Sequence, residues 1–372
     1  MSEASTKNIV LKGKNIVLAG SGHANLEVLY SLKPSEIRRN SVQLISPFRE
    51  TYYSGLLPKL LSGDIEEHQL KIRSADYAES KGVHFIQDSV VSVDSSAKTV
   101  SLGSGNTLPF DILIVNTGGL PSVPETDDFD SLVRMRPFHL FAQDWTRFLS
   151  KLKHIERPNL LVLGGGAAAV ETAAALRARL LKAGKAEGVV QIATRGSRLC
   201  ENYSPNISDR LQTTISRFGI RVLLNQNVQR IENREAIMHD GSRRKFDFLF
   251  LATPVQPNRK LLPGPINARL EVAPFVFHLG DGAEHSSIAF PRSGVSAVRQ
   301  GRHIAGHISK KLRGTILDQP PSGFVLPYRL LNILHTTDKQ ARLVWGDFSI
   351  ESQAVSWIKS QIDTRYLKRF SI

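Results

Sequence analysis

Along most of the chain, short continuous apolar runs alternate with longer stretches of helical periodicity. The run Asn15–Ala19 leads into a glycine turn, then into Leu26, Val28, Leu29 and Leu32 at helical spacing, then into a second apolar run at 42–45. Apolar runs of four or five residues read as strands buried on both faces, the pattern of a parallel sheet covered by helices. The plan returns later, with a run at 160–163, a second glycine turn, an Ala-rich helix at 167–180 and a run at 189–193. The units also close alike. Phe110-Asp111-Ile112-Leu113-Ile114-Val115-Asn116-Thr117-Gly118 ends the first, and Phe246-Asp247-Phe248-Leu249-Phe250-Leu251-Ala252-Thr253-Pro254 ends the second. Each predicts a buried parallel strand delivering a threonine, Thr117 or Thr253, to the sheet edge where nucleotides bind.

The turns carry the chemistry. In the first, Gly20 and Gly22, with Ser21, His23 and Ala24 around them, allow a tight bend that brings backbone N–H groups against a pyrophosphate at a helix start. The third glycine of the fingerprint is replaced by Asn25, so the close packing of helix on strand must be managed differently. Ser46 ends the next strand, where an acid ordinarily bonds the adenosine ribose. The second turn, Gly164-Gly165-Gly166-Ala167-Ala168-Ala169, fits the G-x-G-x-x-A form and suits NADH or NADPH. Thr194 and Arg195 follow its next strand with no acid, and Arg195 could receive the 2′-phosphate of NADPH. Glu171, on the first turn of the helix, is a catalytic candidate placed to meet the nicotinamide. The fold class is therefore α/β: two Rossmann-like dinucleotide-binding domains, the NAD(P) domain inserted into the FAD domain, plus a short C-terminal domain. The expected division is 1–125 with 265–314 for FAD, 126–264 for NAD(P), and 315–372 for the tail. Pro121 and Pro124 mark the crossover, and Gly314, Pro320, Pro321 and Pro327 the start of the tail.

A third motif points to flavin. The apolar strand Phe275-Val276-Phe277-His278-Leu279 ends in Gly280-Asp281, which sets a carboxylate beside the ribityl hydroxyls of FAD, with Gly280 letting the backbone approach. Downstream, Ser293-Gly294-Val295 reads as a helix start whose positive end faces the flavin pyrimidine edge. The segment Arg49-Glu50-Thr51-Tyr52-Tyr53-Ser54-Gly55-Leu56-Leu57-Pro58-Lys59 is aromatic and aliphatic. It would wall the flavin with apolar surface, and Lys59 is a second catalytic candidate.

Composition narrows the chemistry. The 372 residues contain a single cysteine, Cys200, so no internal disulfide or redox dithiol can form. The formal charge is +14, yet there is no zinc spacing, RNA-binding aromatic motif or long basic tract, and specific nucleic-acid recognition is not expected. No apolar run approaches the roughly 18–20 residues that span a bilayer. The start Met1-Ser2-Glu3-Ala4-Ser5-Thr6-Lys7 lacks the basic and apolar blocks of a signal peptide. A cytoplasmic address follows. Near the C-terminus, Val355, Ile358, Ile362, Tyr366 and Phe370 recur at helical spacing among Lys359, Arg365, Lys368 and Arg369. Such a basic amphipathic helix lies on an anionic membrane surface, or packs on the FAD domain or a second subunit. No metal site is expected.

Together these residues resemble the two-dinucleotide flavoproteins of the pyridine nucleotide-disulfide oxidoreductase family. Gly20-Ser21-Gly22-His23-Ala24, Tyr53-Ser54-Gly55-Leu56-Leu57-Pro58 and Ala297-Val298-Arg299-Gln300-Gly301 carry a closer likeness to type II NADH dehydrogenases and to the flavoprotein module fused to selenide, water dikinase. So does the ending Trp357-Ile358-Lys359 with Ile362-Asp363-Thr364-Arg365-Tyr366. The resemblance implies FAD held by Gly20, Gly22, Thr117, Gly118 and Asp281, and nicotinamide held by Gly164, Gly166 and Glu171. Asn25, Ser46 and Pro254 depart from the family pattern. The expected activity is hydride transfer from NAD(P)H to FAD and onward transfer to a quinone-like acceptor, without a redox disulfide. A reductase of a small acidic electron-carrier protein, or a non-catalytic flavin-bound sensor or assembly factor, are the alternatives.

Overall fold

The computed structural model describes residues 13–285, 291–313, 322–327 and 329–372. The expectations placed on the first seven residues and on Gly314, Pro320 and Pro321 lie outside the described residues.

The first sheet has six strands, in the order Glu271–Ala273, Val276–His278, Ile112–Val115, Asn15–Ala19, Ser41–Ile45 and His84–Ile86. Asn15–Ala19 runs parallel to both neighbours, with Ile16 opposite Val42 on one side and Ile112 on the other. Successive side chains of a strand point to opposite faces. Ile16, Leu18, Ile112 and Ile114 accordingly pack with Leu26 and Leu29 of the helix His23–Ser31 and Ile304 and Ile308 of the helix Gly294–Leu312. Val17, Ala19, Leu113 and Val115 pack on the other side with Val100, Leu102 and Phe110. Both faces are covered, which is why these strands read as unbroken apolar runs.

The second sheet repeats the design with five parallel strands, Leu132–Arg134, Phe248–Leu251, Asn159–Leu163, Val189–Ala193 and Ile220–Leu223. The repeat reaches individual hydrogen bonds. Asp111 donates its N–H to the Asn15 carbonyl, while its carboxylate accepts the Asn15 N–H at 2.8 Å. Asp247 does the same for Asn159, accepting at 2.7 Å. Each Phe-Asp pair thus stitches the closing strand to the strand that leads into the glycine turn.

The second sheet draws its strands from residues between 132 and 251, inside the two stretches that build the first. At the crossing, Leu120–Pro121 pairs antiparallel with Val255–Gln256, so the outgoing and returning chain form a two-stranded ribbon where the sequence suggested a plain linker. The tail is a three-stranded antiparallel sheet, Leu331–His335, Ala341–Trp345 and Phe348–Ser352, followed by the helix Gln353–Lys368.

That helix corrects one expectation. Its five apolar positions do not share a face. Val355, Tyr366 and, just beyond the helix, Phe370 are buried, whereas Ile358 and Ile362 are exposed beside Trp357. The inner face instead buries Lys359 and Asp363 among the apolar residues, because polar partners wait opposite them.

Glu27 ties three elements together. Its carboxylate, fully buried in the helix His23–Ser31, accepts from Arg302 at 2.8 Å and from Arg369 at 3.2 Å. Removing it strands two guanidiniums that both keep some contact with water. Glu27→Ala is therefore expected to cost about 1–3 kcal/mol of stability. The urea midpoint reports it, and an unchanged midpoint would refute this account of the tie.

Candidate active site

The carboxyl ends of Asn15–Ala19, Ile112–Val115 and Val276–His278 converge on one side chain, Asn116. Its Oδ1 accepts from the Ala24 N–H at 2.9 Å and its Nδ2 donates to the Leu279 carbonyl at 2.9 Å. It thereby joins the start of the first helix to the Gly280-Asp281 turn. The surrounding glycines follow from this close approach. A Cβ at Gly20 or at Gly22 would lie 2.6 Å from the Asn116 carbonyl oxygen, and one at Gly280 would lie 2.5 Å from Asn116 Nδ2. Gly20 and Gly280 also have φ of +90° and +72°, a region side chains avoid. Gly280 thus has a reason within the protein for being glycine, since Asn116 fills the space a side chain would take.

Asn25 resolves the missing third glycine. Its amide donates to the carbonyls of Ala19 at 3.1 Å, Gly20 at 2.7 Å and Ile114 at 3.3 Å. Hydrogen bonds replace close van der Waals contact in holding helix to strand.

Beside this junction opens a cavity of about 910 Å³. Gly20, Ser21, Gly22, His23, Ser46, Thr117, Gly118, Gly280, Asp281 and Gly294 all line it, so the structure brings these predicted residues together. Ala24 and Val295 fall outside it. The Ala24 N–H is spent on Asn116, and Val295 points outward, 48% exposed. The Ser46 hydroxyl lies 3.1 Å from that of Ser21 and donates to the Phe48 carbonyl at 3.0 Å. His23 is held neutral, its pKa lowered to about 4 by burial and by the charge of Arg136. Arg136, which sequence reasoning missed, pairs with Asp281 inside the cavity.

The second turn forms an open shelf. A Cβ at Gly165 would lie 2.8 Å from the Thr194 Cβ, whereas one at Gly166 would meet nothing within 4 Å. Gly164 donates its N–H to the Ala193 carbonyl at 2.9 Å. Gly166, Ala168 and Arg195 are exposed, and Ala167 is half-buried. Thr194 turns its hydroxyl oxygen inward to the Gly196 N–H, 3.1 Å away. Thr253 donates to the Ser122 carbonyl at 2.7 Å, in the region of the crossover ribbon.

Neither catalytic candidate lines the cavity. Glu171 does not line the cavity; its carboxylate accepts from Lys359 Nζ at 3.1 Å and from the His335 N–H at 3.0 Å. Lys59 donates to the Ser360 hydroxyl at 2.7 Å and also lies outside the lining. In each case the C-terminal helix has docked over the residue and satisfied it. Burial alone would weaken the Lys359 ammonium, but the Glu171 and Asp363 carboxylates outweigh it and raise its pKa. Burial pushes Asp363 up as well, while Tyr53 donates to it at 2.8 Å. The donor Asn116 had a signal in the sequence, because it replaces Ala252 of the second copy at an otherwise matching position. Arg136 had none.

Two glycine cradles on two parallel sheets, one opening into a large cavity and one onto a shelf, define a two-dinucleotide oxidoreductase. The family profile described as "Pyridine nucleotide-disulphide oxidoreductase" matches residues 14–298, and the chain belongs to that family. It is an FAD-dependent NAD(P)H oxidoreductase. Among its relatives is an NADH oxidase of Methanocaldococcus jannaschii, 24% identical over 319 residues, which cover 78% of this chain and 68% of that protein. The chain spans only 39% of the length of two further relatives from Bacillus subtilis. Among solved structures, the sulfide:quinone oxidoreductase of Aquifex aeolicus superposes with a TM-score of 0.81 at 17% identity, covering 96% of this chain and 91% of that one. The NDH2 of Plasmodium falciparum in complex with NADH gives 0.80 at 14% identity, covering 96% of both chains. At these identities the superpositions speak for the fold.

The residues present fit an FAD. The volume suits a large ligand, the glycine turn opens a helix at its middle, and the Asp281 carboxylate can accept from ribityl hydroxyls. Gly22→Ala is expected to push Asn116 aside and weaken FAD binding at least tenfold, seen as protein purified without a flavin spectrum. Retention of wild-type flavin would count against this geometry.

Three histidines, His278 buried and His23 and His335 half-buried, set a pH dependence. Burial lowers His23, His278 and His335 to about 4, with Arg136, His285 and Lys359 respectively adding to the effect. In the unfolded chain they titrate near 6.5. Between about pH 6.5 and 4 the unfolded state therefore binds more protons, so stability present in full above 6.5 is lost as pH falls towards 4. The urea midpoint should drop steadily over that window, and more gently in His278→Gln; a flat profile would contradict it.

Proposed function

We propose that this enzyme takes electrons from NAD(P)H through FAD to a quinone-like acceptor. The observation that carries this reading is the wall Tyr52-Tyr53-Ser54-Gly55-Leu56-Leu57. The disulfide reductases of this architecture keep their paired cysteines in that segment. Here it is apolar, with Tyr52 and Ser54 lining the cavity and Tyr52 stacked on Phe138, the ring centroids 5.4 Å apart. Cys200, the single cysteine, lies buried in the other unit, its thiol pushed up to about 12 by burial and the Glu171 carboxylate. No thiol chemistry is within reach of the cavity. The named quinone substrate of the Aquifex aeolicus neighbour supports the same reading.

When bound, the two cofactors supply two-electron transfer from reduced nicotinamide to flavin. The chain supplies position. Gly20 and Gly22 would present the start of the helix His23–Ser31 to the pyrophosphate, and Asp281 would accept from the ribityl chain. Gly294, following the Ser293 cap, turns the positive end of a 19-residue helix into the cavity. On the shelf, Gly166 would leave room for the second pyrophosphate, and the exposed Arg195 could receive a 2′-phosphate.

The outer surface bears on where the acceptor comes from. Trp357, Ile358 and Ile362 of the last helix are exposed, as are Trp345, Phe348 and Ile350 of the tail sheet. Arg365 and Lys368 lie on the same helix. This combination suits an anionic membrane surface carrying a lipid-soluble quinone. The charge of +14 favours, as a second reading, an acidic electron-carrier protein.

Anaerobic mixing with NADH or NADPH is expected to bleach the flavin. A quinone in anionic vesicles should then restore its colour faster than the same quinone in neutral vesicles, and faster than oxygen. Flavin that bleaches only with a dithiol would end the proposal. Reoxidation by an acidic carrier alone, steeply slowed by salt, would move it to the second reading.

A further inference from the structure

Sequence reasoning gave Arg136 no role, yet its position is unusual. It follows the edge strand Leu132–Arg134 of the second sheet and precedes the helix Phe138–Leu152, so it belongs to the inserted unit. Its side chain nevertheless reaches into the cavity of the first unit and pairs with Asp281. The cavity has two ends. At one, Ser46, Arg49, Arg73 and Asp76 gather beyond the strand Ser41–Ile45. At the other, His23, Ser54 and Gly294 adjoin: a Cβ at Gly294 would lie 3.3 Å from the His23 ring and 3.8 Å from the Ser54 hydroxyl. Arg136 meets the cavity at Asp281, between these two ends, and its charge also disfavours protonation of His23.

A dinucleotide with its pyrophosphate on the Gly20–Gly22 turn and its adenosine beyond Ser46 would place its ring system at the second end. Of the three arginines among the described lining residues, Arg49 and Arg73 gather on Asp76 at the first end, and Arg136 on Asp281 is the one nearer the ring system. A guanidinium has five N–H donors in a planar fork, more than one carboxylate can use. Two electrons and one proton added to the neutral flavin ring leave it with one negative charge, and NAD(P)H is oxidised in supplying them. A fixed cation beside the ring system stabilises that charge without acting on the oxidised ring to the same degree.

We propose that Arg136 is a redox-tuning residue: with the donors that Asp281 leaves free, it stabilises reduced over oxidised flavin and raises the potential at which this enzyme accepts electrons. The inference rests on the FAD-dependent reading above and concerns a residue that reading does not need.

The test uses the FAD-loaded enzyme, with FAD held in excess so that weakened binding cannot hide the result. The midpoint potential of the bound flavin is measured by equilibration with a reference dye for the wild type, Arg136→Gln, Arg136→Met and Arg136→Lys. Loss of the charge is expected to shift the preference for reduced over oxidised flavin about tenfold, a fall of about 30 mV for a two-electron couple. Arg136→Lys should hold most of the wild-type potential. If both neutral variants bind oxidised and reduced FAD equally less well, leaving the potential unchanged, Arg136 serves only to hold Asp281 and the proposal is overturned. A wild-type protein that takes up no FAD, or whose flavin neither nicotinamide bleaches, would instead bring down the underlying functional reading.

Discussion

The first nucleotide cradle depends on one amide. Asn116 stands where the ends of three parallel strands meet, and it bonds the first helix to the turn before Asp281. A buried amide of this kind must find partners for both its ends, and here those partners are the two elements a nucleotide would touch. Three glycines drawn from sequence positions as distant as 20 and 280 are therefore needed by the protein itself. Each vacates the volume that Asn116 fills. At Gly22 and Gly280 the glycine signature is the footprint of the Asn116 side chain, and at Gly20 of its backbone carbonyl.

The second cradle shows what happens without that amide. Ala252 occupies the matching position and offers only its backbone, against which Gly164 packs, a Cβ there lying 2.9 Å from the Ala252 carbonyl carbon. Nothing then crowds Gly166, whose missing side chain leaves open space. The two turns look alike as text, but one borders a large cavity against the Asn116 side chain and the other leaves Gly166 exposed.

The sequence was most informative where the physics is local. Apolar runs predicted the strands Asn15–Ala19 and Val189–Ala193 to the residue, because a doubly covered parallel strand admits few polar side chains. Glycine turns and the Gly280-Asp281 ending marked the cavity. What stayed hidden was long-range pairing. Glu171 reads as an exposed first-turn carboxylate until Lys359, 188 positions later, docks on it. Lys59 looks free until Ser360 arrives. Arg136 precedes its partner Asp281 by 145 positions, and nothing in the intervening residues foretells the meeting. Asn25 shows a subtler limit: as a lost glycine it called for some other way to pack helix on strand, and the three carbonyls that receive its amide are visible only in the fold.

These long-range pairs share a purpose. Arg136–Asp281 links the inserted unit to the first, and Arg179 of the helix Ala167–Lys182 donates to the carbonyls of Leu60 at 2.8 Å and Leu61 at 2.5 Å. Lys359 and Asp363, neighbours on the last helix, reach Glu171 of the inserted unit and Tyr53 of the first. Apolar contact alone could hold two such units together, but it is tolerant of small sliding and rotation. Directional bonds to buried carboxylates and carbonyls are not. Electron transfer between two stacked rings depends on their being held within a fraction of an ångström of a productive geometry. The polar residues buried along this seam are expensive to desolvate, and the fixed relation between two cofactor sites is what that expense secures.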